Sequence, residues 1–131
     1  MKRLKTVLFF WGPVFLWMGA IFIFSSRPRF GITEEFFFDF LIFKTLHMIE
    51  YALLYFLLFR AFYHSSKYSI AKQLVVALIF SVLYAVGDEV HQAFVPTREG
   101  KIRDILIDST GILIMYWYIK TNINFVIKKI L

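Results

Sequence analysis

The sequence predicts an all-α, polytopic membrane protein: a bundle of four transmembrane helices with both termini in the cytoplasm. Three observations predict it. The 131 residues are 60% hydrophobic and 21% aromatic, with a mean hydropathy of +0.68, against about 45–50% apolar residues in ordinary globular domains. A soluble core of this size cannot hide that excess, so lipid has to take it. The apolar residues fall into four runs, and the basic residues flank those runs. The formal charge of +6 is therefore explained by topology and not by nucleic acid.

The first span is Thr6 to Phe24, an uncharged run of the length that a bilayer requires. The basic segment Met1-Lys2-Arg3-Leu4-Lys5 before it resembles a signal-peptide start, but Phe24-Ser25-Ser26-Arg27-Pro28 lacks a small-x-small cleavage site. The run reads as an uncleaved anchor. The second span covers 43–62 and carries Lys44, His47 and Glu50 in its first third. The third covers 73–94 and turns polar at its end, in Asp88-Glu89-Val90-His91-Gln92. The fourth covers 102–119 and opens with Arg103, Asp104 and Asp108. Residues 122–131 form a basic amphipathic tail suited to a membrane surface. No repeat, low-complexity tract or linker divides the chain, so 1–131 is one domain.

Orientation follows from Lys and Arg. Four spans place both termini on one side, which collects Lys2, Arg3, Lys5, Arg60, Lys67, Lys72, Lys120, Lys128 and Lys129. The other side collects Arg27, Arg29, Lys44, Arg98, Lys101 and Arg103. The richer side is cytoplasmic by the positive-inside rule. The acids Glu34, Glu35, Asp39, Glu50, Asp88, Glu89, Glu99, Asp104 and Asp108 all fall on or near the opposite face.

Ionisable groups at membrane depth are costly, and each is a functional-site hypothesis. At 1.5 Å of rise per residue, Glu50 and Asp88 lie about 9 Å below the span mouths at Lys44 and Phe94, and Asp108 about 7–8 Å below Arg103. Helix periodicity aligns Lys44, His47, Glu50 and Tyr51 in one stripe. Tyr84, Asp88, His91 and Gln92 form a second, and Asp104, Asp108 and Gly111 a third, with Gly111 allowing close helix approach. Ser25 and Ser26 end the first helix at the same level. Glu89 lies off its stripe and is expected to face water. Arg98 and Arg103 flank a helix N-terminus, a setting that favours anions. In the structural alternative, Arg103 neutralises a nearby acid and His47 pairs with Glu50 only to hold helices together. The gathering of so many charges in one layer favours a site, because apolar packing is usually as good as buried ion pairs.

His47-x-x-Glu50-Tyr51, Asp88-Glu89-x-His91-Gln92-x-Phe94-x-Pro96-x-Arg98 and Arg103-Asp104-x-x-x-Asp108-x-x-Gly111, with Trp17-Met18 and Phe24-Ser25-Ser26, resemble the signature of VanZ-like membrane proteins. The resemblance covers about Trp11 to Tyr118. Thr97 departs from it, since a Gly often follows the Pro in that family. The family's namesake is an accessory protein that lowers susceptibility to the glycopeptide teicoplanin. The resemblance thus implies a bacterial plasma membrane and an envelope role, without a reaction.

Three functions fit these residues. In the first, an anionic envelope lipid or lipid-linked cell-wall precursor binds near the extracytoplasmic face, held by Ser25, Lys44, Tyr51, Gln92, Arg98 and Arg103. In the second, a membrane-embedded hydrolase or transferase acts on such a lipid through His47, Glu50, Asp88, His91, Asp104 and Asp108. His47 or His91 serves there as general base. The same imidazoles and carboxylates suit a divalent Zn, Mn or Mg ion. In the third, the layer is a scaffold or regulatory surface. The absence of cysteine excludes disulfides, thiolate metal sites and a Cys nucleophile. No motif specifies an oligomer.

Overall fold

The computed structural model describes residues 2–28, 31, 35–98 and 100–131, with side chains from residue 7 onward. Arg29, Glu34 and Glu99, and the side chains of Lys2, Arg3 and Lys5, lie outside the described residues. Every regular element among the described residues is a helix: α1 (Lys2–Ser25), α2 (Phe36–Ser65), α3 (Ile70–Gln92), α4 (Ile102–Thr121) and α5 (Ile123–Lys129).

Three of these are long and apolar enough to cross a membrane: Val7–Ser25 of α1, all of α2 and all of α3. The sequence predicts four. α4 has the length, but Arg103, Asp104, Asp108 and Lys120 lower its apolar character. α2 also starts well before residue 43. Phe36, Phe37 and Phe38 extend its apolar face, and Asp39 sits in its first turn, where the helix dipole favours an acid. Lys44 is consequently two turns inside the helix and buried, not at its mouth. α3 starts at Ile70 because the Ser69 hydroxyl accepts the Lys72 amide as an N-cap.

The order of contacts sets the architecture. α2 packs against α1, α3 and α4, most extensively against α4, and α1 makes no close backbone approach to α4 among the described residues. Contacts from Lys44 to Asp104, Met48 to Gly111 and Tyr55 to Tyr116 advance together along both chains, so α2 and α4 run parallel. Trp11 near the start of α1 donates to Ser65 at the end of α2, so these two run antiparallel. α1, like α3, carries its C-terminal end to the opposite pole, where Ser25 meets Asp88. One pole thus holds the start of α1, the end of α2 and α5. The other holds the end of α1, the 93–101 loop and the start of α4.

α2 supplies the core stripe Tyr51, Leu54, Tyr55, Leu58 and Phe59, spaced at i, i+3, i+4, i+7 and i+8 and all buried. Val14 and Ile21 of α1, Leu74, Ala77 and Ala85 of α3, and Ile112 and Ile119 of α4 close around it. α5 turns Val126 into the same core and leaves Phe125, Lys128 and Lys129 exposed. The outward faces are apolar as well: Phe15 and Leu16, Ile79 and Leu83, and Leu106 and Ile114 are all exposed. Apolar residues both inside and outside are the pattern of a bundle solvated by lipid.

Gly111 is the point of closest approach. A Cβ there would collide with the backbone carbonyl of Met48, so α2 and α4 meet main chain to main chain. Gly12, Gly19 and Gly87 have nothing within 4 Å of a built Cβ. Gly111→Ala should therefore destabilise the protein by about 1–3 kcal/mol, while Gly87→Ala should not. Thermal unfolding in detergent checks the pair, and equal melting of both variants would contradict this packing.

Candidate functional site

Polar side chains near the second pole divide into three groups. The first is centred on Asp88, which is 5% exposed. Its carboxylate accepts from the Ser25 hydroxyl at 2.5 Å, the Tyr51 hydroxyl at 3.0 Å and the Gln92 amide at 2.9 Å. These donors come from α1, α2 and α3. Gln92 passes the network on, accepting from Arg98 Nη1 at 3.1 Å. Arg98 also donates to the carbonyls of Arg27 at 2.8 Å and Phe24 at 3.4 Å, which fastens the loop to the end of α1. Nearby, Ser26 Oγ and His91 Nε2 lie 2.9 Å apart, and His91 stacks on Phe22. Tyr84 donates to the Met18 carbonyl at 2.6 Å, and Trp17 to that of Glu50 at 2.9 Å.

The second group joins α2 to α4. Lys44 Nζ lies 2.9 Å from Asp104 Oδ2, with both side chains buried, and Arg103 Nε reaches Asp104 Oδ1 at 3.3 Å. Arg103 also lies over the Phe40 ring at 4.8 Å. One turn deeper, Asp108 is 1% exposed, and its Oδ1 has no hydrogen-bond partner among the described residues. Glu89 departs from expectation. It is buried, and its carboxylate accepts the Lys101 amide at 2.7 Å, because the loop folds back over the end of α3. Gly100 permits that return: a Cβ there would press on the Glu89 carbonyl and on Ala93. Thr97 in the same loop has a φ of 66°, a left-handed conformation that is uncommon for a β-branched residue and suits glycine.

The third group faces a cavity of about 320 Å³ lined by Phe24, Arg27, Phe43, Leu46, His47, Glu50 and Arg98. Phe43, His47 and Glu50 are spaced i, i+4 and i+7, so one stripe of α2 forms its wall. His47 Nδ1 is 3.3 Å from Glu50 Oε2, an approach without hydrogen-bond geometry. Arg27 lies over the Phe24 ring at 5.6 Å.

Of the candidate catalytic residues, only His47 and Glu50 line this cavity. Asp88 accepts from three donors, His91 pairs with Ser26, and Asp104 pairs with Lys44. Ser25, Tyr51 and Gln92 serve Asp88, and Arg103 serves Asp104; of the candidate binding residues, only Arg98 lines the cavity. The sequence reading missed Arg27, which it counted only as a flanking charge, and the apolar wall of Phe24, Phe43 and Leu46. The place of Arg27, directly after the two serines that end α1, was the available signal. No three His, Asp or Glu side chains among the described residues gather closely enough to hold a metal ion.

A model of the VanZ/LLP1 family matches residues 10–126 of the chain. No curated protein and no solved structure matches it.

The buried Lys44–Asp104 pair makes a signed prediction. Lys44→Met alone should cost about 3–5 kcal/mol, because Asp104 stays buried with only Arg103 against it. Lys44→Met combined with Asp104→Leu should recover most of that loss. Chemical unfolding of the two variants measures the difference; a double variant no more stable than the single one would show that the pair is not what matters.

Proposed function

Because the chain belongs to the VanZ/LLP1 family, we propose that it is a multi-pass membrane protein that binds an anionic cell-envelope lipid or lipid-linked precursor in a polar site near the extracytoplasmic face. Its link to glycopeptide (teicoplanin) resistance rests on the family resemblance. The observation that carries the reading is the cavity lining. Two guanidiniums, Arg27 and Arg98, face it beside an apolar wall of Phe24, Phe43 and Leu46. Guanidinium groups take phosphate oxygens in pairs, and the apolar wall suits the first carbons of a lipid chain.

In this reading α4 is the fourth span. Its acidic residues Asp104 and Asp108 are buried in the bundle, while Leu106, Ile114 and Trp117 point outward. The described basic residues of the first pole are Arg60, Lys67, Lys72, Lys120, Lys128 and Lys129, and no acid accompanies them. The positive-inside rule then makes that pole cytoplasmic and opens the cavity to the envelope. The approach of His47 to Glu50 favours a second reading, a membrane-embedded hydrolase or transferase on the same lipid with His47 as general base.

Arg27→Ala is the cleaner test, since Arg98 also holds the loop to α1. Loss of two charge-assisted hydrogen bonds should weaken anionic-lipid binding about tenfold or more, with the melting temperature unchanged. Native mass spectrometry of the purified protein measures it, and unaltered binding would end this reading. Topology has its own check, because the chain has no cysteine. In intact cells an impermeant maleimide should label Lys101→Cys, and should label Lys67→Cys only after lysis. The reverse pattern would invert the proposed orientation.

A further inference from the structure

We propose that the cavity takes the phosphomonoester headgroup of a membrane lipid, presented sideways from the bilayer between α1 and α2, in preference to a phosphodiester. This rests on the anionic-lipid reading above and narrows it. Three observations carry it: the volume, the set of donors and acceptors, and the path of the apolar wall.

The cavity measures about 320 Å³. That is the lower end of the range of about 300–1,000 Å³ for small-molecule sites. It has room for a phosphate and a few carbons.

Arg27 and Arg98 present donors only, and Glu50 presents acceptors only while it is ionised. A phosphodiester group carries acceptors alone, so it satisfies the arginines and leaves an ionised Glu50 facing a like charge. A phosphomonoester loses its second proton near a pKa of about 6. Its monoprotonated form offers oxygens to both guanidiniums and a P–O–H to the Glu50 carboxylate. With Glu50 ionised, the lining matches that mixed pattern and not the simpler one.

The wall sets the route of entry. Phe24 and Leu46 are 51% and 47% exposed. Leu46 continues into the exposed stripe Ile42, Leu46 and Ile49 of α2, at i, i+4 and i+7. Phe43, His47 and Glu50 form the adjacent stripe, one residue on. Headgroup wall and lipid-facing wall therefore adjoin without a polar rim. A free phosphate has no use for that continuity, while the chain of a lipid does.

The test uses the full chain in phosphatidylcholine nanodiscs doped with phosphatidic acid or with phosphatidylmethanol, a diester whose headgroup has no hydroxyl, read by native mass spectrometry. Phosphatidic acid should bind about tenfold more tightly, the ratio that one additional charge-assisted hydrogen bond supplies. Glu50→Gln should bring the two lipids to similar affinity, and Arg27→Ala should weaken both together. Inorganic phosphate at millimolar concentration should leave the lipid bound. Equal affinities in the natural protein, a preference that survives Glu50→Gln, or displacement by phosphate would each overturn the proposal while leaving anionic-lipid binding standing. Failure of both lipids to bind would instead remove the reading beneath it.

Discussion

The second pole of the bundle is organised by one buried carboxylate. A charge in an apolar helix bundle is tolerated only where donors surround it. Asp88 meets that demand with Ser25 from α1, Tyr51 from α2 and Gln92 from its own helix. Each hydrogen bond to a charged group contributes about 1.5–3 kcal/mol, and together they set three helices at one level. The effect propagates, because Gln92 turns its oxygen to Arg98 and Arg98 grips the end of α1. The cavity-lining guanidinium is thus held in place by a carboxylate that does not itself line the cavity.

A division of labour follows among the charges. Asp88, Glu89 and Asp104 have specific partners and connect elements: α1 to α2 and α3, the loop to α3, and α2 to α4. Such groups account for much of the polar layer without any ligand. His47, Glu50, Arg27 and Arg98 are different, because they line a space that no described side chain fills. Arg98 belongs to both sets. The layer is therefore a framework with a cavity beside it, and the functional argument concerns the cavity.

Much of this was legible in the sequence. The apolar runs located α1, α2 and α3, and residue spacing put Lys44 and Tyr51 on one stripe and Asp88 and Gln92 on another, while the pairing of Tyr51 with Asp88 and of Lys44 with Asp104 came only from the structure. Gly111 announced a close helix approach, which the structure places at Met48. Other features were hidden for physical reasons. The start of α2 was masked because Phe36 to Phe38 are separated from the main apolar run by Asp39, which favourable helix-end electrostatics accommodates. Glu89 lies off the Asp88 stripe, and only the path of the loop reveals that its carboxylate receives the Lys101 amide. Thr97 stood out as a departure from the family pattern, and its positive φ gives that departure a conformational meaning. The cavity needs residues from α1, α2 and the loop at once, so no single-segment pattern displays it.

The geometry of α2 links the two themes. Successive residues on an α-helix are turned by about 100°, so a shift of one position carries a stripe from one environment to the next. At 42, 46 and 49 the helix shows Ile, Leu and Ile to the outside, with Leu46 also at the edge of the cavity; at 43, 47 and 50 it shows Phe, His and Glu to the cavity. One position further, Lys44 and Tyr51 reach inward to Asp104 and Asp88. Three adjacent stripes of one helix thus meet lipid, cavity and bundle interior in turn. A ligand with an apolar chain and a charged head has the same sequence of environments built into it, and a helix with these phases can hold both ends without bending.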